Sequence, residues 1–226
     1  MQEVARRFVR GAGFMTTLRR VSVLVAMLLL LEGLSVSALA APERGPKVYL
    51  LRGFMNVFSL GLDELAVKIE KRGIRAEVYN HTSWARLADE IAKDYKSGQT
   101  RPVILVGHSW GGLAVVNLVE ALGTAGVPVA LAVALDTTSV TVDRGQVGTF
   151  LNLYVATGRL RAGPGFRGRL INTDLGKSMP VGHFNIDKIE AVHAIVLRHI
   201  AQAVGHTGPR RPPVTAATSQ GTAPTR

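Results

Sequence analysis

One serine of the chain lies in a pattern that supports nucleophilic chemistry. The segment Gly107-His108-Ser109-Trp110-Gly111 directly follows the apolar run Pro102–Val106, and a helical pattern begins just after it. A tight turn between a strand and a helix exposes a serine hydroxyl as a nucleophile elbow. Glycines leave the room that such a turn needs, which is the role predicted for Gly107 and Gly111. Ser109 is therefore the predicted nucleophile, and a tight glycine turn with a capping serine is the structural alternative.

The same turn predicts where negative charge would be stabilised. Unpaired N–H groups and the helix dipole favour an anion at a helix N-terminus, so the Trp110 N–H is a predicted oxyanion donor.

Apolar runs alternate with helical patterns along the chain. This alternation predicts an α/β fold, a doubly wound and mostly parallel sheet with helices on both faces. Ligands of such sheets bind at the carboxyl ends of the strands. The predicted strands are Val48–Leu51, Ala76–Tyr79, Pro102–Val106 and Val129–Leu135, with weaker candidates at Thr149–Val155 and Arg169–Asn172. The predicted helices are Leu60–Lys71, Trp84–Lys96 with Ser83 as its cap, Leu113–Leu122 and Ile186–Val204.

The segment from Gly107 to Gly112 resembles the elbow of α/β-hydrolases, particularly of lipase-like and thioesterase-like members. The similarity extends from about Val48 to Val204 in the order of elements. It implies a small version of the α/β-hydrolase fold, serine hydrolase activity, and catalytic residues in the chain order serine, acid, histidine.

The resemblance also implies a second oxyanion donor after the first strand, where Arg52 and Gly53 lead to the N–H of Phe54. Many relatives have a His-Gly segment at this place, where this chain has Arg52 and Gly53. The side chains of Phe54, Met55 and Phe58 are expected to line an acyl pocket, with core packing as the alternative.

The resemblance implies that the catalytic base is a histidine in a loop before the last helix. His183 is the histidine in that position, and a capping or surface histidine is the alternative. The other five lie before the elbow, inside it, in the closing helix or near the C-terminus: His81, His108, His193, His199 and His206.

The resemblance also implies an acid after the strand that follows the elbow helix, or after the next strand. Asp136 ends the first of these strands, and residues 145–173 contain no Asp or Glu. Asp136 is therefore the predicted acid, which would orient the histidine and stabilise its protonated form. Asp174 and Asp143 remain alternatives, as does a structural Asp136 that caps a turn.

The N-terminus reads as a targeting segment. Arg19-Arg20 precede the apolar run Val21–Leu31, and Ala38-Leu39-Ala40 follows. These three parts are typical of a secretory signal peptide, which we predict over residues 1–40, with Met15 as an alternative start. An uncleaved N-terminal anchor is the other interpretation. Either way the globular part is expected to be exported. With a cleaved signal peptide the protein is periplasmic or secreted, and with an uncleaved segment it is anchored to the membrane.

Composition limits the remaining classes. The net charge is +11, but basic residues are scattered and no basic run alternates with aromatic residues, so we expect surface charge and no nucleic-acid binding. The absence of cysteine excludes disulfides and a thiol nucleophile. No His, Asp or Glu cluster has metal-ligand spacing, so neither a metal nor a cofactor is expected. Residues 41–204 are the predicted hydrolase domain, and 205–226, rich in Pro, Thr and Gly, a disordered tail.

Together these features predict an exported serine hydrolase that cleaves carboxylic ester or thioester bonds through an acyl-enzyme. The expected substrate is a small-molecule or lipid ester, and membrane contact is expected only through the N-terminal segment. Acyl transfer and amide hydrolysis are alternative reactions of the same site. A catalytically inactive protein of this fold that binds an envelope component or a partner is the non-enzymatic alternative. The oligomeric state is not predicted.

Overall fold

The computed structural model describes residues 44–54 and 59–205. The predicted signal peptide therefore lies outside the described residues, as do Met55, Phe58 and all of the predicted tail except Gly205. The described strands are β1 (Gly45–Arg52), β2 (Arg75–Asn80), β3 (Thr100–His108), β4 (Val129–Leu135), β5 (Thr141–Tyr154) and β6 (Arg161–Asp174). The described α-helices are α1 (Gly61–Glu70), α2 (Trp84–Lys96), α3 (Trp110–Thr124) and α4 (Glu190–Gly205), and short 3-10 turns cover His81–Ser83 and Leu175–Lys177.

The six strands form one parallel sheet in the order β2-β1-β3-β4-β5-β6. Successive side chains of a strand point to opposite faces, so each face has its own apolar core. Val48 and Leu50 pack on one face with α1 and α4, whereas Tyr49 and Leu51 pack on the other with α2 and α3. The predicted fold class, with helices on both faces, is confirmed.

Several predicted helix ends differ from the structure. Helix α3 begins at Trp110, three residues before the predicted start at Leu113. Helix α2 has the predicted bounds, but the predicted cap is wrong, because Ser83 makes no capping hydrogen bond with its side chain. The chain enters α2 through a 3-10 turn, and the Asn80 side chain caps that turn by accepting the Thr82 N–H at 2.8 Å. The closing helix begins later than predicted, at Glu190.

Strands β5 and β6 are bent, and only their second halves follow the main sheet. Val147 pairs with Val129 at the start of β4, and Leu153 pairs with Leu135 at its end. The first half of β5 must therefore carry the chain back from the end of β4 to the start of the sheet. The first half of β6 pairs in parallel with that returning segment. A parallel strand needs such a return connection, usually a helix, and here two extended segments supply it.

The returning halves pack on helix α3. Val142 of β5 and Phe166 of β6 belong to the same core as Val115 and Val119 of α3. The sequence pattern predicts only the second halves, because the first half of β6 has no run of apolar residues. The chain from Asp136 to His183 is thus taken up largely by two long strands.

The bend of β6 requires a glycine. Gly168 has a φ of +144°, and a Cβ atom there would lie 1.7 Å from the Val147 carbonyl oxygen. We expect Gly168→Ala to lower the free energy of unfolding by about 1–3 kcal/mol, measured by urea denaturation. Gly182→Ala is the matched control, because a Cβ there meets nothing within 4 Å. Equal stability of the two variants would contradict this account of the bend.

Candidate active site

Ser109 occupies a strained turn between β3 and α3. Its backbone has a φ of 58° and a ψ of −121°, a conformation that costs a non-glycine residue about 1–3 kcal/mol. Hydrogen bonds hold it on both sides: the Ser109 N–H donates to the Leu135 carbonyl at 2.9 Å, and its own carbonyl accepts the Gly112 N–H at 2.9 Å. Such strain persists because the surrounding structure fixes it.

Three glycines allow backbone segments to meet around this serine. A Cβ atom on Gly107 would lie 2.1 Å from the Gly111 carbonyl oxygen, and one on Gly111 would lie 1.9 Å from that of Leu51. A Cβ atom on Gly53, just after β1, would lie 3.0 Å from the Ser109 Cβ. No side chain fits at the first two positions, so the ends of β1 and β3 are held together at the elbow.

The structure brings His183 and Asp136 together. The His183 Nδ1–H donates to Asp136 Oδ2 at 2.7 Å, while Oδ1 of the same carboxylate accepts the Val155 N–H at 2.7 Å. The Asp136 side chain is only 11% exposed, and that of His183 is 41% exposed. With its proton on Nδ1, a neutral histidine presents the Nε2 lone pair as a base.

The alternative acids do not reach His183. Asp174 Oδ1 accepts the N–H groups of Gly176 and Ala156, at 3.1 and 3.3 Å, so this carboxylate caps a 3-10 turn. Asp143 lies in the returning half of β5. Of the three candidate acids, the carboxylate bonded to His183 is therefore Asp136.

Ser109 and His183 open onto one cavity of about 400 Å³. It lies at the carboxyl ends of β1 and β3, between which the strand order of the sheet reverses, the usual ligand site of a doubly wound sheet. Three aromatic side chains form an open apolar rim: Phe54 is 50% exposed, Trp110 49% and Phe184 67%. The full lining is Phe54, Ser59, His108, Ser109, Trp110, His183 and Phe184.

Both predicted oxyanion donors border this cavity. Trp110 is the first residue of α3, so its N–H has no acceptor within the helix. The first turn of α3 has no acidic residue, so no carboxylate within that turn offsets the positive end of the helix dipole, which faces the site. The Phe54 ring packs edge-on against the Trp110 ring, with centroids 4.8 Å apart.

Arg52, which stands where many relatives have histidine, is engaged elsewhere. Its Nε donates to Asp63 Oδ2 at 3.1 Å, and its Nη2 binds the other carboxylate oxygen. This pair ties the end of β1 to the first turn of α1. Arg52 therefore supports the loop that carries Phe54.

Sequence reasoning missed two buried residues at the site, His108 and Ser59. The Ser59 hydroxyl lies 2.8 Å from His108 Nδ1, and His108 Nε2 lies 2.9 Å from the His183 carbonyl oxygen. Burial lowers the pKa of His108 below its ordinary value, while the negative charge of Asp187 acts in the opposite direction and is outweighed. No spacing pattern marks either residue, since His108 occupies the variable position of the elbow motif.

The part of the chain that the structure describes contains no cluster of His, Asp and Glu able to hold a metal ion. Within the same residues, none of the helices combines the length and the apolar character needed to cross a membrane.

The comparisons with known proteins identify the family. A family model described as "Alpha/beta hydrolase family" matches residues 60–215, and the chain therefore belongs to this family, which confirms the resemblance seen in the elbow. A crystal structure of a protein from Xanthomonas campestris pv. campestris, assigned to the alpha/beta hydrolase superfamily, is 13% identical with a TM-score of 0.38. That match covers 71% of this chain and 99% of the other. No match was found among curated proteins.

Acid is expected to destabilise the protein through His108. Because folding lowers the pKa of this ring, the unfolded chain takes up the proton first as the pH falls below about 6.5. Stability then falls by up to about 1.4 kcal/mol per pH unit until the folded-state pKa is reached, whereas above about pH 6.5 the contribution is intact. Urea unfolding of wild type and His108→Asn between about pH 7.5 and about 5.5 measures this. The variant should show the smaller pH slope, and parallel slopes would contradict the assignment.

Proposed function

We propose that this protein is an exported serine hydrolase that cleaves carboxylic ester or thioester bonds through an acyl-enzyme intermediate. The observation that carries the proposal is the 2.7 Å hydrogen bond between His183 and Asp136, beside a cavity shared by His183 and Ser109. Membership of the alpha/beta hydrolase family supports hydrolase activity. Export is proposed from the N-terminal sequence alone.

In the first half of the proposed reaction, the Ser109 hydroxyl oxygen attacks the carbonyl carbon while its proton passes to His183 Nε2. The carbonyl oxygen becomes an oxyanion that accepts hydrogen bonds from the Trp110 and Phe54 N–H groups. Asp136 stabilises the imidazolium. Collapse of the tetrahedral intermediate breaks the ester or thioester bond, and the leaving alcohol or thiol takes the proton from His183.

In the second half, water attacks the acyl-enzyme. His183 Nε2 takes a proton from this water, and the same N–H groups bind the second oxyanion. Cleavage of the bond between the acyl group and Ser109 Oγ returns the proton to the serine. The carboxylic acid leaves, and the enzyme is restored.

The apolar rim favours an acyl group with an apolar body. Phe54, Trp110 and Phe184 are half or more exposed around the cavity, and apolar side chains that face a ligand gain stability when it removes them from water. The chain between Asp136 and His183, where a lid would otherwise be inserted, is mostly used by β5 and β6. An open cavity of this kind suits bulky ester substrates.

A fluorophosphonate probe tests the nucleophile. We expect the mature protein to be labelled at Ser109, identified by mass spectrometry of the labelled peptide, and Ser109→Ala to lose the label. Ser97→Ala is the matched control, because Ser97 is an exposed serine at the end of α2. A folded wild-type protein that takes no label would reject the proposal and favour the inactive binding protein considered from the sequence.

Replacing each candidate acid tests the assignment of Asp136. Asp136→Asn should lower kcat for hydrolysis of a short-chain p-nitrophenyl ester by about 10²–10⁴-fold, because the amide no longer stabilises the imidazolium or fixes the tautomer. Asp174→Asn is the control and should keep near wild-type activity, since the Asp174 carboxylate is bonded to the N–H groups of Gly176 and Ala156. The reverse ranking of the two variants would move the acid to Asp174.

A further inference from the structure

We propose that Ser59 and His108 are positioning residues. They form one hydrogen-bonded relay that holds two segments in place around Ser109, namely Gly53 and Phe54 after β1 and the backbone of His183. The relay itself follows from geometry. Its effect on catalysis rests on the proposed function.

The direction of each hydrogen bond in the relay is fixed by chemistry. The His183 carbonyl oxygen can only accept, so His108 Nε2, at 2.9 Å, carries the proton. In a neutral ring Nδ1 then accepts, and the Ser59 hydroxyl donates to it at 2.8 Å. The Ser59 oxygen in turn accepts the Gly53 N–H at 2.9 Å. The bonds therefore run in one sense from Gly53 to the His183 carbonyl.

Burial makes this relay costly to break. Ser59 is 0% exposed and His108 1% exposed, and a buried polar group that loses its partner cannot turn to water instead. The lowered pKa of His108 agrees with the neutral ring that the relay needs. A protonated ring would donate from both nitrogens and could not accept from Ser59.

The relay joins three segments that regular pairing leaves separate. The pairing of β1 with β3 ends at Leu51 and Gly107, just before the residues that face the cavity. Beyond that point Ser59 holds Gly53, whose neighbour Phe54 is the proposed second oxyanion donor. The other end holds the backbone of His183, the proposed base.

Asp187 links the segment that carries Ser59 to the segment that follows His183. Its Oδ2 accepts the N–H of Gly61, the first residue of α1, at 2.9 Å, and its backbone carbonyl accepts from His193 Nε2 at 2.6 Å. The segment that carries Ser59 is therefore fixed to the segment that follows His183. This leaves the relay little freedom to rearrange when one bond is lost.

Catalytic groups must be placed to within about 0.5 Å of their productive positions. Loss of the Ser59 hydroxyl frees the Gly53 N–H and leaves His108 Nδ1 without its donor, while the apolar rim of the cavity is unchanged. We therefore expect the tetrahedral intermediate to form more slowly, while the affinity for the substrate body is retained.

The tautomer of His108 tests the relay without any need for activity. Long-range ¹H–¹⁵N NMR of the labelled protein at neutral pH should show a proton on Nε2 and an unprotonated Nδ1. His108→Gln assigns the signal by its disappearance. A neutral ring with the proton on Nδ1, or a doubly protonated ring, would overturn the relay.

The kinetics of ester hydrolysis test the effect of the relay on catalysis. Ser59→Ala should lower kcat by about 10-fold, the effect of about one hydrogen bond, with KM within about twofold of wild type. Ser59→Thr, which keeps the hydroxyl, should restore most of the rate. The control is Thr100→Val, which removes an equally buried hydroxyl at the start of β3. This position is at the end of the strand opposite to the active site, so kcat should be unchanged.

A double substitution tests whether the two residues act as one unit. His108→Gln keeps a donor for the His183 carbonyl but has no acceptor at the Nδ1 position, and it replaces Ser59→Ala should that variant not fold. The double variant should lose no more activity than the more damaging single variant. Wild-type kcat in Ser59→Ala, or additive losses, would overturn the positioning role.

The failures are distinguishable. A wild-type protein that takes no probe and hydrolyses no ester refutes the proposed function, and the His108 tautomer still decides whether the relay exists. An active wild type with the wrong tautomer, or with an unaffected Ser59→Ala variant, refutes the relay and leaves the proposed function standing.

Discussion

The contact between the backbones of the elbow and of β1 is the constraint on which the site depends. Gly107, Gly111 and the Leu51 carbonyl approach so closely that no Cβ atom fits between them. This contact, together with the bonds to Leu135 and Gly112, holds Ser109 at a positive φ. The other groups of the site must be positioned relative to Ser109, so the proposed chemistry depends on this backbone packing.

The remaining groups come from chain segments that the parallel sheet brings together at the carboxyl ends of its strands. Gly53 follows β1, Asp136 follows β4, and His183 precedes α4. The sheet gives these segments a rigid base, but the pairing of β1 with β3 stops short of the cavity. Beyond that point hydrogen bonds from side chains hold the loops in place. The His183 ring is bonded to Asp136, and the His183 carbonyl is bonded to His108.

Features that depend on local sequence could be predicted. The apolar runs of β3 and β4 and the glycines around Ser109 indicated the sheet and its elbow, because strand burial and a tight turn each impose their own residue types. The predicted cap at Ser83 was wrong because a 3-10 turn, itself capped by Asn80, occupies the entrance of the helix. Serine is a common N-cap residue, but here the conformation of the preceding turn determines which side chain acts as a cap.

Features that depend on distant contacts could not be predicted. Ser59 and His108 are 49 residues apart, and His108 and His183 are 75 apart, so no local spacing relates them. The returning half of β6 was missed for another reason. It contains glycines and a proline in place of an apolar run, and its extended form depends on pairing with β5 and packing on α3.

The position of β6 places part of the chain's basic charge on an open edge of the sheet. Within the described sheet this strand has a neighbour on one side only, and an open strand edge is a template for the edge of another molecule. Arg161, Arg167 and Arg169 are exposed along it, with no carboxylate before Asp174. Two copies that approached edge to edge would bring these cations together, and the repulsion between them disfavours pairing along this edge.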